Sequence, residues 1–308
     1  MNNKTDNILL VTLSEGLADA VEKGGASTVL VNARPRFPAS GTCYAADLIL
    51  TANHAVEKDR EITIVLPNGS EVNARLVGRD PGSDLALLKL PDPVGLPAEK
   101  APVDGRIGQF VLALGRPTPQ TLEATFGVVS TQGGPIQTGS STLLESFLRT
   151  DAIPYPGFSG GPLIDISGRV LGINSSGFGS GASFTIPVSL AWCTADAILR
   201  YGSIRRGYLG VQTQSVEISS TLNALIQNRF NRTQQHGLMF VSGEKGSPAA
   251  EEGLLVGDIL IGIDRIAIED HDGLLAQLGV NSAGKVLSFN ILRGGELRTL
   301  PVKIGERK

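Results

Sequence analysis

The chain has 308 residues, of which 41% are hydrophobic and 19% charged, with a net charge of −3. That composition is ordinary for a soluble globular protein of about two domains. It leaves no basic footprint for nucleic acid, and no stretch approaches the roughly 20 apolar residues of a membrane span.

Residues 8–23 place Leu9, Leu10, Leu13, Leu17, Ala20 and Val21 at helical spacing, which predicts an amphipathic helix ending near Gly24-Gly25. Its apolar run, Ile8 to Leu13, is too short for a signal peptide or a spanning helix, so the chain is expected to be cytoplasmic. Thr28–Asn32 reads as a strand. Further short β-runs follow to about residue 190: Ala46–Thr51, Glu61–Leu66, Glu71–Gly78, Leu85–Leu90, Phe110–Leu114, Leu122–Ser130, Val170–Asn174 and Ser183–Ile186. Pro67-Asn68-Gly69-Ser70 between two of them is a hairpin signal. With 38 glycines and 17 prolines marking turns, this spacing argues for barrels or sandwiches over a parallel α/β sheet.

Residues 188–201 read as a helix with Leu190, Ala191, Ala195, Ile198 and Leu199 on one face. Gly202 to Gly207 forms a short basic connector, and the domain boundary is placed there, giving domains 1–203 and 204–308. The second is a small α+β module. It offers strands at Tyr208–Thr213, Gly237–Ser242 and Asp258–Asp264, and helices at 216–228, Pro248–Glu252 and Asp270–Leu278. Two closing strands flank Arg293-Gly294-Gly295. Cys43 and Cys193 match no metal or redox spacing and read as buried thiols; neither a metal nor a cofactor is expected.

The chemistry concentrates in Gly157-Phe158-Ser159-Gly160-Gly161-Pro162. Glycines around one hydroxyl let the backbone turn sharply and bring N–H groups to a developing oxyanion; a plain glycine-rich turn is the bland alternative. A serine nucleophile needs a base, and the base needs an orienting group. Of three histidines, His54 lies where a strand enters a turn, in Thr51-Ala-Asn-His-Ala-Val56. Asp84 opens the apolar strand of Asp80-Pro-Gly-Ser-Asp-Leu-Ala-Leu-Leu-Lys89, where a buried carboxylate requires a partner. Capping of that turn suits Asp80 better than Asp84.

These motifs, followed by L-G-I-N, F-T-I-P and R-R-G-Y-L-G-V in order across residues 26–305, resemble the HtrA/Deg family. Its members join a trypsin-fold serine protease to one or two peptide-binding PDZ domains. The resemblance implies a mostly β, chymotrypsin-like double six-stranded barrel followed by an α+β PDZ domain. It implies Ser159 as nucleophile, His54 as base and then acid, and Asp84 as the group orienting His54. The N–H groups of Gly157 and Ser159 would form the oxyanion hole. Ile153, Pro154 and Tyr155 with Asn174, Ser175 and Ser176 would line the specificity pocket, its return running through Ala182–Phe184. None of these residues is acidic, so small or medium aliphatic side chains are expected before the scissile bond. Tyr208-Leu209-Gly210-Val211 would capture a peptide C-terminal carboxylate, beside a helix presenting Leu274, Leu275 and Leu278, with Arg205 and Arg206 favouring an anionic terminus. His236 and His271 read as surface residues without a role. Unfolded or misfolded proteins would be the substrates, in protein quality control, and a homotrimer the assembly.

The chain departs from the family in three ways. Phe158 stands where Asn is usual, Pro35–Gly41 leaves no room for a long inhibitory loop, and no export signal is visible. Two rival readings compete. An α/β-hydrolase esterase would place its acid and histidine after the serine, which the β-rich upstream pattern disfavours. A catalytically impaired peptide-binding scaffold is the second.

Overall fold

A computed structural model describes residues 3–134, 136–137, 143–177, 184–202, 207–279 and 282–306. The chain divides into two compact units, Met1–Ile204 and Arg205–Lys308.

In the first unit, helix α1 (Asn3–Gly25) precedes β1 (Thr28–Asn32), β2 (Ala39–Ala45), β3 (Leu48–Ala52), β4 (Ile62–Val65), β5 (Glu71–Asp80) and β6 (Leu85–Lys89). These six strands close into a barrel in the order β1-β2-β3-β6-β5-β4. Alternate residues fill it: Val29 and Val31, Ile62 and Ile64, Ala86 and Leu88 share one core, as the period-two geometry of a strand requires. Helix α2 (Val188–Tyr201) packs on β5 and β6. Strand β6 is therefore buried on both faces, which explains why Leu85 to Leu88 is a continuous apolar run.

The second barrel is built from β7 (Phe110–Thr118), β8 (Thr121–Gly133), β11 (Phe147–Thr150), β12 (Pro162–Asp165), β13 (Val170–Ser175) and β14 (Phe184–Pro187). They close in the order β11-β14-β13-β12-β7-β8. A two-stranded ribbon, β9 (Ile136–Gln137) with β10 (Leu143–Leu144), stands apart. The interior of this barrel holds Val111, Ala113, Val129, Leu148, Leu163 and Leu171, together with Phe158. The double-barrel architecture expected from the motifs is the one observed.

The second unit contains β15 (Gly207–Tyr208), β16 (Val211–Glu217), α3 (Ser220–Phe230), β17 (His236–Gly243), α4 (Pro248–Glu251) and β18 (Ile259–Ile263). They are followed by β19 (Ile266–Ala267), α5 (His271–Gln277), β20 (Val286–Arg293), β21 (Glu296–Lys303) and β22 (Gly305–Glu306). The sheet runs β16-β17-β18-β20-β21, so β16 is an edge strand. Asp270 caps α5 by accepting from the Gly273 N–H at 2.7 Å, a typical N-cap.

Several expectations need correction. Helix α1 begins earlier than residue 8, and the apolar side chains described near its start do not pack: Leu10 is 66% and Leu13 41% exposed, whereas Ala20 is buried. Strand β2 looked like a connector because Ala-Ser-Gly-Thr-Cys-Tyr-Ala lacks large β-branched residues. Small residues are required there, since a Cβ at Gly41 would lie 2.6 Å from Ile49 and 2.8 Å from Val31. Strands β11 and β12 were hidden for similar reasons, being four residues each beside glycine and proline. Cys43 is buried as expected, but Cys193 lies on the exposed side of α2. Leu274 and Leu278 are part of the core of their unit. Their side chains therefore do not form a groove wall; Leu275 is half-buried.

Candidate active site

His54 sits in a single 3-10 turn, Asn53–Ala55, directly after β3. The turn is tied to the start of β6: the Asn53 N–H donates to the Asp84 carbonyl at 2.8 Å, and the His54 N–H to Asp84 Oδ1 at 2.8 Å. Asp84 adopts a left-handed backbone conformation, φ 54°, which Asp tolerates better than most residues. That geometry turns its carboxylate back onto the histidine, and His54 Nδ1 lies 2.7 Å from Asp84 Oδ2. A carboxylate only accepts, so Nδ1 carries the proton and Nε2 is left as the acceptor. The Ser175 hydroxyl also donates to Asp84 Oδ2. The Asp84 side chain is 6% exposed, and these three donors satisfy it. Asp80 does the neighbouring capping, accepting from the N–H groups of Gly82 and Ser83 and the Ser83 hydroxyl.

Ser159 comes from the other barrel, in the turn before β12. Its Oγ pairs with Ser176 Oγ at 3.0 Å; among the described residues it makes no hydrogen bond to His54. Catalytic hydrogen bonds of this kind often tighten only once substrate is bound. Ser176 and Gly177 connect the two halves of the site. Gly177 lies over the His–Asp pair so closely that a Cβ there would be 2.6 Å from Asp84 Oδ2 and 2.7 Å from His54 Nδ1.

The turn holding Ser159 is fixed peptide by peptide. Gly157 has φ 94°, a conformation glycine adopts at little cost. Its carbonyl accepts from the Ser40 hydroxyl at 2.7 Å, and that hydroxyl accepts in turn from the Arg116 N–H at 2.7 Å. The Phe158 N–H donates to Tyr155 O at 3.0 Å, and the Phe158 carbonyl accepts from the Gly161 N–H at 2.8 Å. The N–H groups of Gly157 and Ser159 make no hydrogen bond to the described residues. Two unpartnered donors flanking a nucleophile are what an oxyanion requires.

The two barrels are stitched together at this point. The Ser40 N–H donates to Ser159 O at 3.0 Å and Thr42 Oγ1 to Gly160 O at 3.1 Å, while within the second barrel the Gly160 N–H donates to Asn174 O at 2.8 Å. The short Pro35–Gly41 connector runs into β2 beside this turn. Arg116, 7% exposed, donates from its guanidinium to the carbonyls of Thr28 and Gly25, and burial lowers its pKa.

Of the six residues assigned to the specificity pocket, Ile153 and Tyr155 are exposed, while Pro154 is half-buried. Asn174 is buried and accepts from Thr185, Ser175 faces Asp84, and Ser176 faces Ser159. Ala182 lies outside the described residues. In the second unit, Tyr208 pairs with Gly305 across β15 and β22. Its hydroxyl donates to Glu244. Gly210 has φ 73°, and a Cβ there would lie 2.8 Å from the Tyr208 hydroxyl oxygen. The Leu209 N–H and the Gly210 N–H donate to no described residue. His271 is not idle: its Nδ1 lies 2.9 Å from Thr213 Oγ1 on β16. His236 is exposed, and Arg205 and Arg206 lie outside the described residues. Reading the sequence missed Ser40, Gly115, Arg116 and Gly177; only the density of glycine near the motifs hinted at two of them.

Residues 39–173 match the description of a trypsin-like peptidase domain, and residues 207–304 that of a PDZ domain. Among solved structures, "HtrA-type protease AlgW with tripeptide" is 31% identical with a TM-score of 0.78, over 95% of this chain and 97% of that one. The chain belongs to the HtrA-type serine proteases. A second neighbour, the serine endoprotease from Yersinia pestis, is 27% identical with a TM-score of 0.71, covering 95% of this chain and 98% of that chain. A probable periplasmic DegP-like endoprotease of Pseudomonas fulva is 36% identical over 264 residues, 83% of this chain and 53% of its own length. A probable periplasmic do/HhoA-like protease of Haemophilus influenzae is 34% identical over 290 residues, 92% of this chain and 58% of its own. This HtrA-type chain thus spans about half the length of the curated relatives it matches. Those relatives are named periplasmic, which overturns the cytoplasmic placement and points to export. The composition of residues 8–13 excludes a spanning helix there and carries no information about compartment.

Proposed function

We propose that this HtrA-type chain hydrolyses peptide bonds in protein substrates through an acyl-enzyme on Ser159. The observation that carries the reading is the 2.7 Å pair of His54 Nδ1 and Asp84 Oδ2, which leaves Nε2 as the ring's acceptor and base. His54 takes the Ser159 proton as Oγ attacks the carbonyl, then returns it to the leaving amine. Water attacks the ester in the second half of the cycle, and Asp84 holds the tautomer and stabilises the imidazolium. The N–H groups of Gly157 and Ser159 receive the oxyanion.

The lack of acidic residues among Ile153, Pro154, Tyr155, Asn174, Ser175 and Ser176 supports cleavage after small or medium aliphatic side chains. A peptide-library digest cutting efficiently after Arg and not after Val or Ala refutes that preference. The edge position of β16 and the two unpartnered donors at Leu209 and Gly210 support capture of peptide C-termini by strand addition at Tyr208–Val211. Loss of binding on amidating the peptide is the check. A quality-control role toward unfolded or misfolded proteins is the biological setting proposed. A homotrimer is the assembly proposed, to which the exposed Ile8, Leu10, Val11 and Leu13 of α1 could contribute. Fluorophosphonate labelling of the wild type against Ser159→Ala tests the central reading: wild type labels, the variant does not. Retained activity in His54→Ala would sink it.

A further inference from the structure

Phe158 lies between the two oxyanion donors in sequence, yet its side chain points away from the site. It is 0% exposed and belongs to the core of the second barrel, with Val111, Ala113, Ala152 and Leu163. The ring meets Tyr155 edge-on, centroids 5.7 Å apart at 80°. Gly115 of β7 also lies against the ring: a Cβ there would be 2.7 Å from its Cγ and 2.8 Å from Cε1. Glycine at 115 is thus a socket shaped by the absence of a side chain. Tyr155 contributes a second contact, since its carbonyl accepts the Phe158 N–H.

The consequence is geometric. The peptides on either side of Phe158 carry the Gly157 carbonyl and the Ser159 N–H, so wherever the ring is held, those peptides are held too. Interiors are close-packed, and a ring held against a glycine and an aromatic neighbour has little room to swing. We propose that Phe158 is a positioning residue, an apolar anchor whose seating against Gly115 and Tyr155 sets the orientation of the Ser159 N–H donor and of Ser159 itself. This rests on the peptidase reading above and goes beyond it, because it places control of the oxyanion geometry in the barrel core and not in a polar contact at the site.

Four variants test it. Phe158→Asn puts an unpartnered amide among apolar side chains and empties the socket. Gly115→Ala keeps Phe158 but intrudes on its seat. Gly115→Ala combined with Phe158→Leu relieves the intrusion with a smaller apolar side chain. Phe158→Leu alone is the variant least disturbing to folding. Each is compared with wild type for kcat and KM on a short peptide and for the rate of fluorophosphonate labelling, with the folded fraction measured by circular dichroism.

The expected result for folded Phe158→Asn and Gly115→Ala is a kcat loss that approaches, without exceeding, the roughly 10² to 10³-fold loss of a removed oxyanion donor. KM should stay within about twofold, the split expected when a transition-state interaction is lost. The double variant should recover most of the Gly115→Ala loss, and Phe158→Leu should be intermediate. Folded Phe158→Leu or Gly115→Ala with wild-type kcat and labelling rate overturns the assignment, as does a double variant no better than Gly115→Ala. A wild type that neither cleaves nor labels overturns the peptidase reading itself.

Discussion

Replacing Asp84 by Asn separates shape from charge at the centre of the site. Asn is nearly isosteric, and it accepts the left-handed backbone at φ 54° about as well as Asp does. Placed at Oδ1, the carbonyl oxygen of Asn can still accept from the His54 N–H. Its amide, however, only donates where Oδ2 now receives the His54 Nδ1 proton at 2.7 Å. The favourable response is to move the imidazole proton to Nε2, which removes the base facing Ser159. A wrong tautomer of this kind lowers kcat by about 10⁴, or about 5 kcal/mol of barrier. Asp84→Ala is expected to lose comparable activity and also stability, because a non-glycine residue in the left-handed region costs roughly 1–2 kcal/mol. Initial rates on a fluorogenic peptide, with urea midpoints for each variant, provide the comparison. An Asp84→Asn enzyme retaining more than about a tenth of wild-type kcat, against the loss expected from a displaced tautomer, refutes the assigned role.

Gly177→Ala should lose at least tenfold in kcat with a nearly unchanged melting temperature, since the atoms nearest the added methyl belong to the His54–Asp84 pair and the position is exposed without positive φ. Ser176→Ala frees the Ser159 hydroxyl to turn to His54; removing one hydrogen bond of about 1 kcal/mol should speed fluorophosphonate labelling up to about fivefold, and slowed labelling counts against this view. Burial pushes the Cys43 thiol up to about 12. At pH 8 iodoacetamide should therefore modify Cys193 in the native protein and Cys43 only after denaturation. The same shift stabilises the fold fully below the unfolded-chain value of 9.0 and loses that contribution as pH rises from there toward 12, which urea midpoints from pH 8 to 11 would register.

Ser159, Asp84 and His54 could be singled out because each sits in a local motif, Ser159 among glycines, Asp84 before an apolar strand and His54 at a strand's end; their joint role is the one proposed above, which the family resemblance suggested. The bounds of helix α2 were legible to the residue, since its apolar periodicity and Gly202 stop are both local, although Leu199, read onto the buried face, is 46% exposed. What stayed hidden depends on contacts distant in sequence. Ser40 meets Gly157 from the other barrel, and nothing in Ala-Ser-Gly-Thr announces it. The family resemblance put Ser175 in the specificity pocket; only the fold turns its hydroxyl onto Asp84. The half-exposed α1 misled because helical periodicity records a face without recording whether anything covers it.

The seam between the barrels has a further consequence. His54 and Asp84 ride on one barrel and Ser159 on the other, and the stitching at Ser40, Thr42 and Gly160 amounts to a handful of hydrogen bonds. Each barrel has its own core and can keep it while that seam loosens. Turnover in this molecule is thus a gauge of alignment, and on heating it should fade while the spectroscopic signature of both barrels is still intact.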